Sequence, residues 1–197
     1  SITWIQAGVH QPGRYEKVDF NLPDWVKLQP DTKHNLNDLI LSGAVDAVIT
    51  AHPVQAFKDQ NPKVVRLFKD PKGVELEYFN QTQCFPIMHT IVIRNDVVSK
   101  NPWVAQTIFK GLDKARRLCV NRLSDPTASA VPMPWIFSTM QDSQKLFGAE
   151  DIWAYGIDQN RSTLKTFTRY CFEQGITDRL MSPDDLFFEN TSQSYKV

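Results

Sequence analysis

The run at 87–93 constrains this chain more than any other stretch. It reads Ile-Met-His-Thr-Ile-Val-Ile, apolar and β-branched, inside a wider segment from Cys84 to Arg94 with polar residues on either side. That is the pattern of a buried strand. Alternation puts His89, Ile91 and Ile93 on one face and Met88, Thr90 and Val92 on the other. A histidine inside such a run needs a reason, because an unpaired polar group in a core costs on the order of a few kcal/mol. Two readings of His89 follow: a core imidazole hydrogen-bonded to backbone, or a functional group.

Further short strands are expected at 2–5, 45–50 and 64–68, with weaker candidates at 18–20 and 26–28. Residues 35–41 read as a helix that stops at Gly43. The strand expected next ends in Ala51-His52-Pro53. In open α/β sheets ligands sit beyond the carboxyl ends of strands, and His52 takes such a place. A loop histidine that caps the following turn is the alternative. The loop at 6–14, punctuated by Gly8, Pro12 and Gly13, carries Gln11 and Arg14. A guanidinium on such a loop is a good bidentate clamp for a carboxylate; a solvated surface arginine is the plainer reading. Thr82 and Gln83, just ahead of the 84–94 segment, are candidate donors at a cleft rim. Glu75 and Glu77 are two residues apart and do not share a helix face, so no acid/base pair is read from them.

Beyond residue 94 the pattern turns helical. Asn101 as N-cap and Pro102 at the first helical position open the best helix. Val104, Ile108, Leu112, Ala115 and Cys119 make its expected buried stripe, and Lys110, Lys114, Arg116 and Arg117 its wet face. A connection rich in Ser, Pro and Ala spans 123–134. A helix at 135–147 closes at Gly148, a loop covers 151–156, and a third helix covers 162–174. Leu164, Phe167, Tyr170 and Cys171 are its stripe, with Asn160 and Arg161 read as a cap and a surface charge. Ser182 and Asp185 have the spacing of a capping box, and the polar tail after 189 is expected to fray. The division expected is an α/β substrate-binding lobe at 1–94 and a mainly helical part at 95–197.

Bulk properties narrow the function classes. Lys and Arg number 22 and Asp and Glu also 22, so no basic field invites nucleic acid. No apolar run approaches the roughly 20 residues of a membrane span. The three cysteines are odd in number and widely spaced; they match neither a metal pattern nor a disulfide framework and suit a reducing compartment. No Gly-rich phosphate loop, His-Glu-x-x-His, Gly-x-Ser-x-Gly or Cys-x-x-Cys occurs. The residues alone describe an α/β domain whose Arg14, His52 and His89 suit a small anionic ligand, with no metal site and no cofactor expected.

A resemblance carries the reading further. Phe85-Pro-Ile-Met-His89, Arg94-Asn-Asp96 and Asn101-Pro-Trp-Val-Ala105 resemble the 4,5-dihydroxyphthalate decarboxylases. The likeness continues through Gln11-Pro-Gly-Arg14, Leu41-Ser-Gly-Ala-Val-Asp-Ala47, Pro134-Trp135, Trp153-Ala-Tyr-Gly156, Asn160-Arg161 and Glu173-Gln-Gly175. No one motif is diagnostic; their order and spacing together are more specific. The resemblance implies a periplasmic-binding-protein-like (type II) architecture, a mixed sheet flanked by helices, with this chain as the C-terminal portion of a two-lobed protein. An N-terminal portion, roughly a lobe, is expected to precede it.

The activity implied is cofactor-free decarboxylation of 4,5-dihydroxyphthalate to protocatechuate. On that reading His89 is the general acid, His52 the phenol partner or a second carboxylate contact, and Arg14 the clamp. Gln11, Thr82 and Gln83 are further substrate contacts. The family usually carries an acidic residue at position 10 and arginine at position 52. The departures at His10 and His52 leave room for a relative acting on another hydroxylated aromatic acid. The implied partner is a small anionic aromatic substrate, and a homo-oligomer is allowed. The rival is a non-catalytic solute-binding protein that feeds an aromatic or sulfonate-type anion to an ABC-type transporter. The expected location is the cytoplasm, or the periplasm if a signal peptide lies in the preceding portion.

Overall fold

The structure, a computed structural model, describes residues 2–15, 22–127, 130–148, 152–188 and 191. The strand expected at 18–20 lies outside the described residues, as does the tail after 189 apart from Thr191. The chain is mixed α/β. Its elements are β1 (Thr3–Gly8), β2 (Lys27–Asn35), α1 (Leu36–Ser42), α2 (Gln55–Lys58), α3 (Pro71–Thr82), α4 (Asn95–Lys100), α5 (Val104–Leu123), α6 (Ile136–Phe147), α7 (Ile157–Glu173) and α8 (Pro183–Leu186). Among the described residues no helix is long and apolar enough to cross a membrane. The chain divides into two compact units: Ser1–Glu77 with Cys171–Arg179, and Tyr78–Tyr170 with the chain from Leu180 on.

In the first unit β1 and β2 pair in parallel, Thr3 beside Lys27 and Gln6 beside Pro30, with a register shift before Gly8 meets Asn35. Proline cannot donate to a ladder and is tolerated because β2 is an edge. The shift coincides with a polar knot. Asp31 accepts from the backbone N–H of Lys33 (2.8 Å) and of His34 (2.9 Å) and bonds His34 Nδ1 (2.8 Å). The His34 side chain, with those N–H groups, lowers the Asp31 carboxyl to about 2. Asn35 then caps α1, its Oδ1 accepting from Asp38 N, and Gly43 ends the helix at φ +76. Ala7, Leu39, Val54 and Ala56 are the buried apolar residues around these elements. Asn37 Oδ1 accepts from Ala56 N at 2.8 Å and ties α2 to α1.

Three expected strands do not form. The runs at 45–50, 64–68 and 87–93 lie outside helix and strand. They are largely exposed: Ile49 is 84% accessible, Leu67 87% and Val92 89%. Apolar β-branched residues make a run competent for a sheet, but a ladder also needs a neighbour to take its N–H and C=O groups. Among the described residues no strand stands beside them.

The helices start and stop largely where local chemistry dictates. Gly148 closes α6 at φ +91. Ser182 caps α8, its hydroxyl accepting from Asp184 N while its own N–H donates to Asp185. Two starts differ from expectation. Asn101 closes α4, and Pro102 and Trp103 form the turn that precedes α5. The third helix begins five residues early, at Ile157.

The larger correction concerns α5. Its buried residues are Ala105 and Asp113, and the Arg116 side chain, expected in water, is only 7% exposed. Ile108, Leu112 and Cys119 of the expected core stripe face outward instead. Asp113 is the reason. A buried carboxylate must be paired, and guanidiniums three and four residues on are within reach on the same helix face. On α7 the buried line is Ile157, Leu164, Thr168 and Cys171, while Phe167 and Tyr170 are exposed.

Candidate functional site

The loop after β1 carries Gln11 and Arg14, both exposed. It folds back so closely on Gly8 that a Cβ there would sit 2.0 Å from the Gln11 carbonyl oxygen and 3.7 Å from Arg14 Cβ. Only glycine leaves room for this return. His52 is exposed too. Its N–H donates to Thr50 Oγ1 (3.3 Å), and that hydroxyl donates back to the His52 carbonyl (3.1 Å), a local turn that fixes the backbone. Pro53, next along, borders a cavity of about 500 Å3 lined also by Phe57, Lys58, Asn61 and Arg66. The Arg66 guanidinium lies over the Phe57 ring, 5.2 Å from its centroid. Neither cation stands out in the sequence. Their signal was faint: Lys58 and Arg66 bracketing the Asn61-Pro62 turn.

Thr82, Gln83 and His89 belong to the second unit. Thr82 and Gln83 end α3, and their side chains serve that end. Thr82 Oγ1 donates to the Tyr78 carbonyl at 2.7 Å. Gln83, at φ +55, donates from Nε2 to the carbonyl of Phe79 at 3.2 Å. The Phe79 carbonyl also takes the Gln83 N–H at 2.7 Å, and Gln83 Nε2 reaches on to the Asn80 carbonyl at 3.4 Å.

The segment that carries His89 is rooted at Cys84 and Phe85. The Phe85 N–H donates to Thr163 Oγ1 on α7 at 3.0 Å. The Cys84 thiol is buried within reach of Thr166 Oγ1 (3.4 Å) and Ser162 Oγ (3.8 Å). Burial pushes this thiol up; hydrogen bonds with Thr166, Ser162 and Thr82 and the charge of Arg169 outweigh that and leave it below its ordinary value. The Phe85 ring sits in an aromatic group, 6.4 Å from Phe79, 5.1 Å from Phe147 and 5.2 Å from Trp153, each pair edge to face. After Pro86 the chain leaves this anchorage. His89 and its apolar neighbours Met88, Ile91 and Val92 are exposed. The segment returns at Arg94, whose guanidinium pairs with Asp96 at the start of α4.

Two residues that matter to this neighbourhood were read as ordinary in the sequence. Asn160 is not a cap; its Nδ2 donates to the carbonyls of Ala154 (2.9 Å) and Gly156 (2.8 Å). Arg116 donates from Nε and Nη2 to Asp113 Oδ1 (2.9 and 2.8 Å) and from Nη1 to the Ile152 carbonyl (3.1 Å). Arg117 Nε takes the other Asp113 oxygen at 2.9 Å. The available signal was spacing: Asn160 four residues after Gly156, and arginines three and four residues after Asp113. Arg161 is a half-buried bridge rather than a bare surface charge, reaching Asp158 and Asp184. Among the described residues no group of three or more His, Cys, Asp or Glu side chains could hold a metal ion.

No protein-family model matches the chain. Two curated relatives do. The chain is 29% identical over 198 residues to a protein named 4,5-dihydroxyphthalate decarboxylase from Comamonas testosteroni, an alignment that covers all of this chain and 59% of that protein. It is 34% identical over 80 residues to a protein of the same name from Pseudomonas putida, covering 40% of this chain and 31% of the relative. The chain thus spans less than two thirds of the length of either relative. The likeness read from the sequence motifs is borne out.

Proposed function

We propose, from the premise that this chain is a relative of the 4,5-dihydroxyphthalate decarboxylases, that it serves the cofactor-free conversion of 4,5-dihydroxyphthalate to protocatechuate and CO2. The observation that carries this reading is a likeness to the Comamonas testosteroni protein that leaves no part of the chain out. A periplasmic-binding-protein-like architecture and a cytoplasmic location belong to the same proposal. The free, scattered cysteines favour that location,.

The reaction is feasible with side chains alone. Each carboxylate of the substrate has a hydroxyl para to it. Loss of the phenolic proton to a base sends electron density to the carbon that bears the carboxylate. A general acid protonates that carbon, the C–C bond breaks, CO2 departs, and the ring regains aromaticity. An imidazole titrates near neutrality and suits the acid and the base roles. A guanidinium suits the carboxylate that stays.

His89 is the general acid in this scheme. It is exposed on a segment rooted at Cys84 and Phe85, where a substrate can reach it. His52 takes the phenolic proton or contacts the second carboxylate, and Arg14 is the clamp, with Gln11 beside it. Thr82 and Gln83 contribute as rim donors only if they give up the bonds they make to the end of α3.

The test is CO2 release from 4,5-dihydroxyphthalate by the protein without added metal, with protocatechuate followed in parallel. Stoichiometric formation of both is expected, and absence of both rejects the reading. His89→Gln is expected to lower kcat by about 100-fold, the low end for a general acid. Unchanged turnover would remove His89 from the chemistry. Arg14→Ala is expected to raise KM by roughly tenfold, as loss of a charge-assisted clamp does.

A further inference from the structure

Trp153 holds a conformation that a bulky residue rarely takes, φ +60,. Strain of this kind persists only where the surroundings impose it, and it gathers at ligand sites. Here the surroundings are three side-chain hydrogen bonds to the flanking carbonyls: Asn160 to Ala154 and Gly156, and Arg116 to Ile152. Arg116 is held in turn by buried Asp113, and its guanidinium lies over the Tyr155 ring, 5.7 Å from the centroid.

A buried ion pair is a costly way to shape a loop. What this one sets in place is an indole 57% exposed and edge-on to Phe85, at an interplanar angle of 75°. A fixed, accessible indole offers a planar ligand a stacking surface that needs no further ordering. The indole is tied to the segment that carries the proposed general acid, through its 5.2 Å contact with Phe85. Phe85 precedes His89 by four residues, so their Cα atoms are within about 14 Å of one another.

We propose that Trp153 is a substrate-contacting platform for the ring of a hydroxylated aromatic acid, and that Arg116 and Asn160 are the positioning residues that present it. This rests on the decarboxylase reading and adds to it the group that recognises aromaticity, a role that the histidines and Arg14 do not fill.

The experiment is calorimetric titration of the protein with protocatechuate and with its ring-saturated counterpart, which has the same charge and hydroxyls but no π face. Glycine takes φ +60 freely, so Trp153→Gly removes the indole without adding strain. Its affinity for protocatechuate is expected to fall about tenfold, and that for the saturated acid by less than about twofold. Asn160→Ala keeps the indole but releases its loop, and is expected to give the same selective loss at smaller size. Equal losses for the two ligands in Trp153→Gly, or none, would overturn the proposal. So would a wild-type protein that binds both acids equally while still releasing CO2. A wild-type protein that binds neither and releases no CO2 overturns this proposal together with the decarboxylase reading.

Discussion

Of the stretches of the second unit that lie outside helix and strand, two are held in opposite ways. The segment at 84–94 is fixed at its start, by Thr163 and the aromatic group at Phe85, while its apolar middle stands in water and Arg94 makes a local, exposed pair with Asp96. The loop at 152–156 is fixed along its length, because three of its five carbonyls are taken by Asn160 and Arg116. The first is hydrophobic and exposed; the second is shaped by polar groups that are buried or half-buried. Hydrophobicity favours burial, but it cannot specify a backbone path on its own. Donors aimed at carbonyls can, and a strained residue such as Trp153 persists only under that kind of specification.

The contrast makes predictions that differ in size. The largest effect is expected at Arg116. Arg116→Met takes two hydrogen bonds from a buried carboxylate and should cost about 3 kcal/mol or more in urea denaturation. The double variant Asp113→Leu with Arg116→Met should recover most of that loss, because no unpaired buried charge remains. If the single variant costs nothing, the loop at 152–156 is not organised from α5.

Next is Asn160→Ala, which should cost about 1–2 kcal/mol for two hydrogen bonds to backbone carbonyls. Thr163→Val should cost about 1 kcal/mol and speed hydrogen exchange at the Phe85 amide. An unchanged exchange rate would mean that the 84–94 segment is anchored by its rings alone. Met88→Ser should alter stability by no more than about 0.5 kcal/mol, as exposed positions do. A cost above roughly 1.5 kcal/mol would mean that the middle of the segment is covered in solution, and the contrast would fail.

The smallest effect concerns pH. The Asp31 carboxyl is lowered to about 2, chiefly by the His34 side chain. A lowered carboxyl contributes stability that is fully present above its unfolded value near 4 and is lost as the pH falls through its folded value. This contribution should therefore fade between about pH 4 and 2. In a carboxyl NMR titration, His34→Ala should move the Asp31 midpoint back up toward that of a free aspartate.

What could be read in the sequence was local. Asn35, Gly43, Gly148 and the Ser182–Asp185 box mark helix ends through bonds that span only a few residues, and each is where the pattern put it. The short strands were a different problem. The run at 87–93 has the composition of a strand, yet a strand is a relation between two segments, and composition describes only one of them. The face of α5 was misread because charge was equated with water. Asp113 draws Arg116 inside while Lys110 and Lys114 stay exposed, and no rule that sums hydropathy along a helix registers a carboxylate that needs two arginines. Within the candidate site, His89 drew attention as the one imidazole in an apolar run. Arg116 did not, and Trp153 and Asn160 entered only within family-like motifs, because their importance lies in a backbone path that α5 and the 152–160 stretch write together.

One feature of the first unit bears on how such a chain can change over time. A Cβ at position 8 would meet the Gln11 carbonyl oxygen at 2.0 Å. Every coded amino acid but glycine carries that atom, so a single base change that alters residue 8 displaces the return of the loop bearing Gln11 and Arg14. The exposed residues 10–12 lie between that hinge and Gly13, whose φ of +88 favours glycine as well,. Novelty in this loop is therefore more accessible at its tip than at its hinge. A directed-evolution library that holds residues 8 and 13 constant and varies 10–12 would spend its members on folded proteins.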